Sequence, residues 1–168
     1  RITDIHSLKA ALITHCETVC KKLRNQNSVA TQFVIFASSS PHDAQRNNEP
    51  FFRRSFHIAF PVGTSDPTVL AKEVDSVFVE LFKAGVKYYR AGIGAIEIVS
   101  QKFNQADMFD VGQDNATLMD CLDTINNRYG AGTLSLASAQ QSKLWKMKQQ
   151  FMSPQYTTNW RHIPIIEC

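Results

Sequence analysis

The chain has 168 residues, 43% of them hydrophobic and 10% aromatic, and carries a net charge of +3. That composition is a folded chain's rather than a disordered one's, and the length fits one ordinary domain plus a smaller appended unit. No apolar run approaches the roughly 18 residues of a membrane span. No basic-then-apolar leader opens the chain, which starts on Arg1 and so reads as a piece of something longer.

Ile5, Leu8, Leu12, Val19 and Leu23 recur at helical spacing, with Lys21, Lys22 and Arg24 in the last turn. Asp4 or Ser7 is placed to cap the start, and the spacing predicts a helix over 7–24. Residues 30–37 are β-branched and aromatic, the pattern of a buried strand. A polar loop is expected over 38–50, then a second strand in which Phe56, Ile58 and Phe60 alternate with Ser55, His57 and Ala59. Thr64-Ser65-Asp66-Pro67 reads as a cap with proline at the first helical position. The helix it opens carries Leu70, Val74, Val77, Phe78 and Leu81 on one stripe and is ended by Gly85. A long strand follows over 87–99. If Arg1-Ile2-Thr3 is the tail of another strand, the order is β-α-β-β-α-β. The expected fold class is therefore α+β, an antiparallel sheet with two helices on one face.

Beyond this domain (1–103) lie a linker (104–114) and a small unit (115–168). In the latter, a helix is expected over 115–129, a turn at 128–132, a short strand over 133–137 and a helix over 140–152. An extended tail over 155–168 completes it. About 50 residues bury only a modest core, so this unit is expected to pack on the first domain or on a partner.

The charge is uneven. Residues 1–100 carry 12 Lys/Arg against 9 Asp/Glu, and residues 115–168 carry 5 against 3; the connector between them has Lys102 against Asp107, Asp110 and Asp114. Two mildly basic units flank an acidic connector, which is compatible with nucleic-acid contact without requiring it. Cys16 and Cys20 sit four apart on the first helix, beside His15. Without a second Cys or His pair at ligand spacing they read as buried thiols, not a metal site. With no secretory signal, a reduced cytoplasmic setting is the default.

No catalytic constellation is visible. Neither a nucleophile elbow nor a phosphate-cradling glycine loop is present. Glu73, Asp75 and Glu80 fall in one helical segment, Asp120 and Asp123 in another, where solvated helix faces are the simpler explanation. Nucleic-acid binding is better supported. Arg53-Arg54-Ser55 opens the second inner strand and Lys87-Tyr88-Tyr89-Arg90 opens the last one. In a β-α-β-β-α-β sheet these strands can be neighbours, so their basic and hydroxyl groups would line the face that the helices leave open. Such a face suits duplex phosphates, gripped without regard to sequence. Lys143, Lys146 and Lys148 form a second candidate patch.

Gln105-Ala106-Asp107-Met108-Phe109 combines a polar anchor with a large apolar plug. By itself it fits equally a linker staple and a peptide that docks into an apolar pocket on another protein.

Several motifs carry a family resemblance. They are Gly85 to Ile93 (Gly-Val-Lys-Tyr-Tyr-Arg-Ala-Gly-Ile), Gln105 to Asp110, and Asn48-Glu49-Pro50-Phe51-Phe52, which has phenylalanines where the family has tyrosines. The others are Arg128-Tyr129 with Gly132-Thr133, Trp145 with Met147-Lys148, and Met152-Ser153-Pro154 with Tyr156-Thr157-Thr158. In this order they resemble the little-finger domain and C-terminal extension of the UmuC family, the Y-family translesion DNA polymerases of the SOS response. The resemblance covers nearly the whole chain. It implies a duplex clamp in which Arg53, Arg54, Lys87 and Arg90 contact phosphates, with Arg1 a weaker candidate. It also implies that Gln105, Ala106, Asp107, Met108 and Phe109 dock on the replication sliding clamp, although Ala106 fills less space than the family's usual Leu. Magnesium-dependent nucleotidyl transfer would lie in a palm domain upstream, and nothing here matches it, so no cofactor is expected in this part. For 115–168 the implied partners are the processed UmuD dimer and the recombinase filament. The alternatives are a free-standing module for single-stranded RNA, which needs aromatics such as Phe33 or Phe56 on the open face although their alternation suits burial beneath the helices, and a pure protein-interaction module.

Overall fold

The computed structural model describes residues 1–48, 50–104 and 114–139, together with Ser153, Thr157 and Ile163. The first helix, α1, spans Ile5–Asn25 and starts where Asp4 accepts a hydrogen bond from the Ser7 backbone N–H at 2.8 Å. That bond holds the Asp4 carboxyl below its ordinary pKa. Leu8, Leu12, Ile13, Cys16, Cys20 and Leu23 form its buried stripe.

Strand β1 follows over Ser28–Ser39, longer at both ends than the apolar run that announces it. The expected loop after it is in fact a short helix, α2, over Pro41–Asn47. The Ser40 hydroxyl accepts from the Asp43 N–H at 3.2 Å, proline occupies the first turn, and Asn48 ends the helix in the left-handed region with φ 52. Strand β2 covers Arg53–Thr64.

The helix α3 spans Pro67–Leu81 as its cap predicts: one Asp66 carboxylate oxygen accepts from the Thr68 N–H and hydroxyl, each at 2.7 Å. It ends at Leu81, ahead of Gly85, whose φ of +82 instead shapes the turn into β3 (Tyr88–Ser100).

The sheet is three-stranded and antiparallel in the order β2-β1-β3. This corrects the expectation that β2 and β3 are neighbours: both flank β1, at opposite edges. The expected first strand amounts to one bridge, in which Ile2 and Tyr88 exchange backbone hydrogen bonds of 3.1 and 2.8 Å.

Both long helices lie on one face of the sheet, and the core between them holds Leu8, Leu12, Phe33, Ile35, Leu70 and Val74 at 0% exposure. Strand parity sorts the side chains. Phe33, Ile35 and Ala37 of β1 and Ile58 of β2 point into the core, while Gln32, Val34 and Phe36 share the open face. No helix among the described residues is long and apolar enough to cross a membrane.

The helix α4 spans Ala116–Tyr129. It packs on the first domain through the Arg24–Asp123 ion pair at 2.6 Å, whose side chains are only 12% and 14% exposed. The strand expected over 133–137 is instead turn and irregular backbone leading to a 3-10 turn at Ala137–Ala139. Buried Asn126 explains this. Its side-chain amide bonds both the N–H and the C=O of Leu134, each at 2.9 Å, supplying partners that a strand neighbour would otherwise provide. The expected helix over 140–152 and the tail over 155–168 lie outside the described residues but for Thr157 and Ile163.

Candidate nucleic-acid interface

The register places Ser38 opposite Arg53 on one side and opposite Arg90 on the other. Arg53, Ser38 and Arg90 therefore form one row straight across the open face. Two strand spacings separate the arginine backbones, about 10 Å. Both arginines are exposed, whereas Ser38 between them is nearly covered, at 8% exposure. No carboxylate stands in this row. The open-face carboxylate, Glu97, lies toward the other end of β3, where it accepts from the Thr31 hydroxyl at 2.9 Å.

The next row continues the surface. Ser55 faces Phe36, which faces Gly92. The outer end of the Phe36 ring reaches Gly92, where a Cβ would stand 2.9 Å from its Cζ. This glycine is required by close approach rather than by a turn. Gly94 beside Val34 continues the smooth strip. Neither glycine adds a side chain to this part of the β3 edge of the open face, while exposed His57, opposite Val34, stands on its β2 edge.

Arg54 stands elsewhere. Strand parity turns it to the helix side, where its guanidinium donates to the Glu80 carbonyl at the end of α3 and sits 5.7 Å from the Phe52 ring centroid. It therefore caps a helix C-terminus and does not line the open face. Arg1 is paired with Asp43 at 2.7 Å and lies 4.2 Å from the centre of the Tyr89 ring, from which the Arg90 guanidinium is 5.5 Å away. Lys87 is exposed in the turn just before β3.

A residue that the sequence reading missed is Lys83, in the same turn, with its ammonium 5.8 Å from the Phe52 ring. Its signal was available: a turn between α3 and β3 must fall at the end of the sheet where β3 begins and β2 begins. Arg1, Arg53, Arg54, Lys83, Lys87 and Arg90 thus share one end of the molecule. At the opposite end cluster Asp66, Asp114, Asp120 and Asp123 around Arg24.

The pentapeptide Gln105–Phe109 lies outside the described residues, as do Lys143, Lys146 and Lys148. Its flanks do not. The Asn104 carboxamide accepts from the Gly63 N–H at 3.2 Å and donates to the Gly63 carbonyl at 3.0 Å. Asp114 accepts from the Thr64 hydroxyl at 2.7 Å and from the Ser65 N–H at 3.4 Å. Of the aromatics on which single-stranded RNA could stack, Phe33 is fully buried and Phe56 packs against the core, whereas Phe36 lies on the open face. Among the described residues no group of three His, Cys, Asp or Glu side chains is placed to hold a metal ion.

Residues 1–108 match the impB/mucB/samB family C-terminal domain. The chain belongs to this family. Residues 116–166 match a second model, described as a domain of unknown function, DUF4113. Protein UmuC of Salmonella typhimurium is 28% identical over 163 residues, covering 95% of this chain and 38% of that protein. Protein ImpB of Salmonella typhimurium is 27% identical over 168 residues, with 98% and 39% covered. Protein MucB of Escherichia coli is 28% identical over 171 residues, again with 98% and 39% covered. The chain thus spans about two fifths of the length of these relatives and, as a UmuC-family C-terminal region, includes both the impB/mucB/samB domain and the DUF4113 unit.

Proposed function

We propose that this chain is the DNA-gripping and clamp-docking C-terminal region of an error-prone Y-family translesion polymerase acting in SOS DNA repair. The observation that carries the reading is the Arg53–Ser38–Arg90 row on the open sheet face, in a chain of the impB/mucB/samB family. Guanidinium groups about 10 Å apart at the backbone, on long side chains, reach phosphates of a duplex lying across the sheet. Such contacts hold register on the backbone and carry no sequence information, which is what a polymerase needs when the template is damaged and every sequence must pass. Lys83 and Lys87 widen the same positive end, and Arg1 reaches it through Tyr89.

Catalysis belongs to a magnesium-dependent palm in the rest of the polymerase, and the present residues serve it by keeping the primer–template in place. Gln105, Met108 and Phe109 recruit the enzyme to the sliding clamp, with Met108 and Phe109 filling an apolar pocket and Gln105 bonding at its rim. The DUF4113 unit contacts the processed UmuD dimer or the recombinase filament. The setting is the cytoplasm.

A binding series at two salt concentrations tests the reading, using primer–template duplex, single-stranded RNA and the sliding clamp. Salt-sensitive duplex binding together with clamp binding is the expected result. Preference for single-stranded RNA would overturn it, and clamp binding without any nucleic-acid affinity would leave a pure interaction module.

A further inference from the structure

Among the described residues five polar side chains are buried: Ser38, Ser40, Thr64, Asp66 and Asn126. Four of them are bonded. Ser40 accepts from the Asp43 N–H, Thr64 donates to Asp114, Asp66 accepts from Thr68 and Asn115, and Asn126 ties Leu134. The Ser38 hydroxyl, at 8% exposure, is the one without a hydrogen-bond partner among the described residues. A buried hydroxyl left unpaired destabilises a fold, so this one calls for an acceptor from outside the chain. Its place says what kind. Ser38 sits on the central strand of the open face, with Arg53 on one side and Arg90 on the other. A guanidinium has donors only, so neither neighbour can take the Ser38 proton. The next residue along β1 on that face is Phe36, which has no polar atom to offer. Neither arginine is paired with a carboxylate among the described residues. Three donors therefore share one row that contains no side-chain acceptor.

We infer that Ser38 is a further phosphate-contact residue: its hydroxyl donates to an oxygen of a backbone phosphate seated between Arg53 and Arg90. The inference rests on the duplex-gripping reading and names the point of closest approach. Directly opposed residues on neighbouring strands have Cβ atoms about 5 Å apart, so both arginine stems flank the serine closely. A phosphate brings acceptor oxygens only, which is the complement of this row. The hydroxyl supplies two things that the arginines do not. Its side chain is short and stands on the strand that is paired on both sides, so it fixes the height and position of the phosphate, where long arginines adapt. It is also neutral. A neutral donor displaces no counterion, so its share of the affinity persists as salt rises while that of the arginines falls.

The test is Ser38→Ala in the full chain, in wild type and in an Arg53→Ala, Arg90→Ala background. Primer–template affinity is measured across a salt series, and the thermal midpoint is recorded for each variant. Ser38→Ala alone should weaken binding roughly tenfold at every salt concentration, leaving the slope of log affinity against log salt as in wild type. The midpoint should stay level or rise, because an unpaired buried hydroxyl has been removed. In the background without the arginines the same change should cost much less, since the phosphate is no longer held over the serine. Wild-type affinity in Ser38→Ala would overturn the assignment, and so would an equal loss in both backgrounds. A loss that tracks a fall in midpoint or comes with a shallower salt slope would overturn it too, showing a displaced strand or arginine instead of a missing bond. Should the wild-type chain itself show no duplex affinity, the duplex reading fails and the Ser38 contact with it; salt-sensitive wild-type binding that ignores Ser38→Ala removes the contact alone.

Discussion

The Arg24 guanidinium directs three N–H groups across the seam between the first domain and α4. Two go to Asp123 at 2.6 and 2.9 Å and one to the Ser65 carbonyl at 2.7 Å. Burial alone would make this guanidinium easier to deprotonate; pairing with Asp123 more than offsets it, and the net shift is upward. Removing one partner leaves the other largely desolvated and unpaired. Arg24→Ala should therefore cost about 3 kcal/mol in urea unfolding, while an Arg24→Met, Asp123→Leu double variant should recover most of it. Near-zero cost for the single variant would show that α4 is not held by this pair. The thiols give an independent check on the same helix. Burial pushes the Cys20 thiol up to about 12 and raises that of Cys16 as well, so little thiolate forms at either near pH 8. Iodoacetamide at pH 8 should label exposed Cys121 in the native protein and reach Cys16 and Cys20 only after denaturation, as read by peptide mapping. At this scale, the orientation of Arg54 is legible in the sequence. Phe56, Ile58 and Phe60 already mark the even positions of β2 as core-facing, so Arg53 and Arg54 had to point to opposite faces.

Elements set by local chemistry were readable in advance. Asp66 followed by Pro67 specifies the start of α3 within four residues, and Ser40-Pro41 with Asp43 carries the same kind of signal for α2, hidden inside a stretch rich in serine and asparagine. What was not readable is long-range: the placement of β1 between β2 and β3, and the replacement of a strand at 133–137 by backbone tied to Asn126. Neither leaves a trace in neighbouring residues. The connector is the element whose role depends most on partners. Replacing Gln105, Met108 and Phe109 together with Ala should abolish clamp binding and leave the thermal midpoint nearly unchanged. A large fall in the midpoint would show that the segment is a structural staple of the domain and not a docking peptide.

Taken whole, the molecule is electrically polar along its strands. Arg53, Lys83, Lys87 and Arg90 stand at one end of the sheet, and Asp66, Asp114, Asp120 and Asp123 gather at the other around Arg24. A net charge of +3 averages this away, so composition gave only a weak hint of nucleic-acid contact; the fold separates the charges and makes the hint specific. The basic end would face a polyanion, and the acidic end carries Asp114 and α4. The most direct test is a salt titration of primer–template affinity for wild type, Arg53→Ala, Arg90→Ala, their double variant and Arg54→Ala. Each open-face arginine should reduce the steepness of log affinity against log salt by about 1 and the double variant by about 2, while Arg54→Ala leaves the slope as in wild type. A wild-type slope near zero, or one unaltered in the double variant, would contradict the assignment of the Arg53–Ser38–Arg90 row to the duplex backbone.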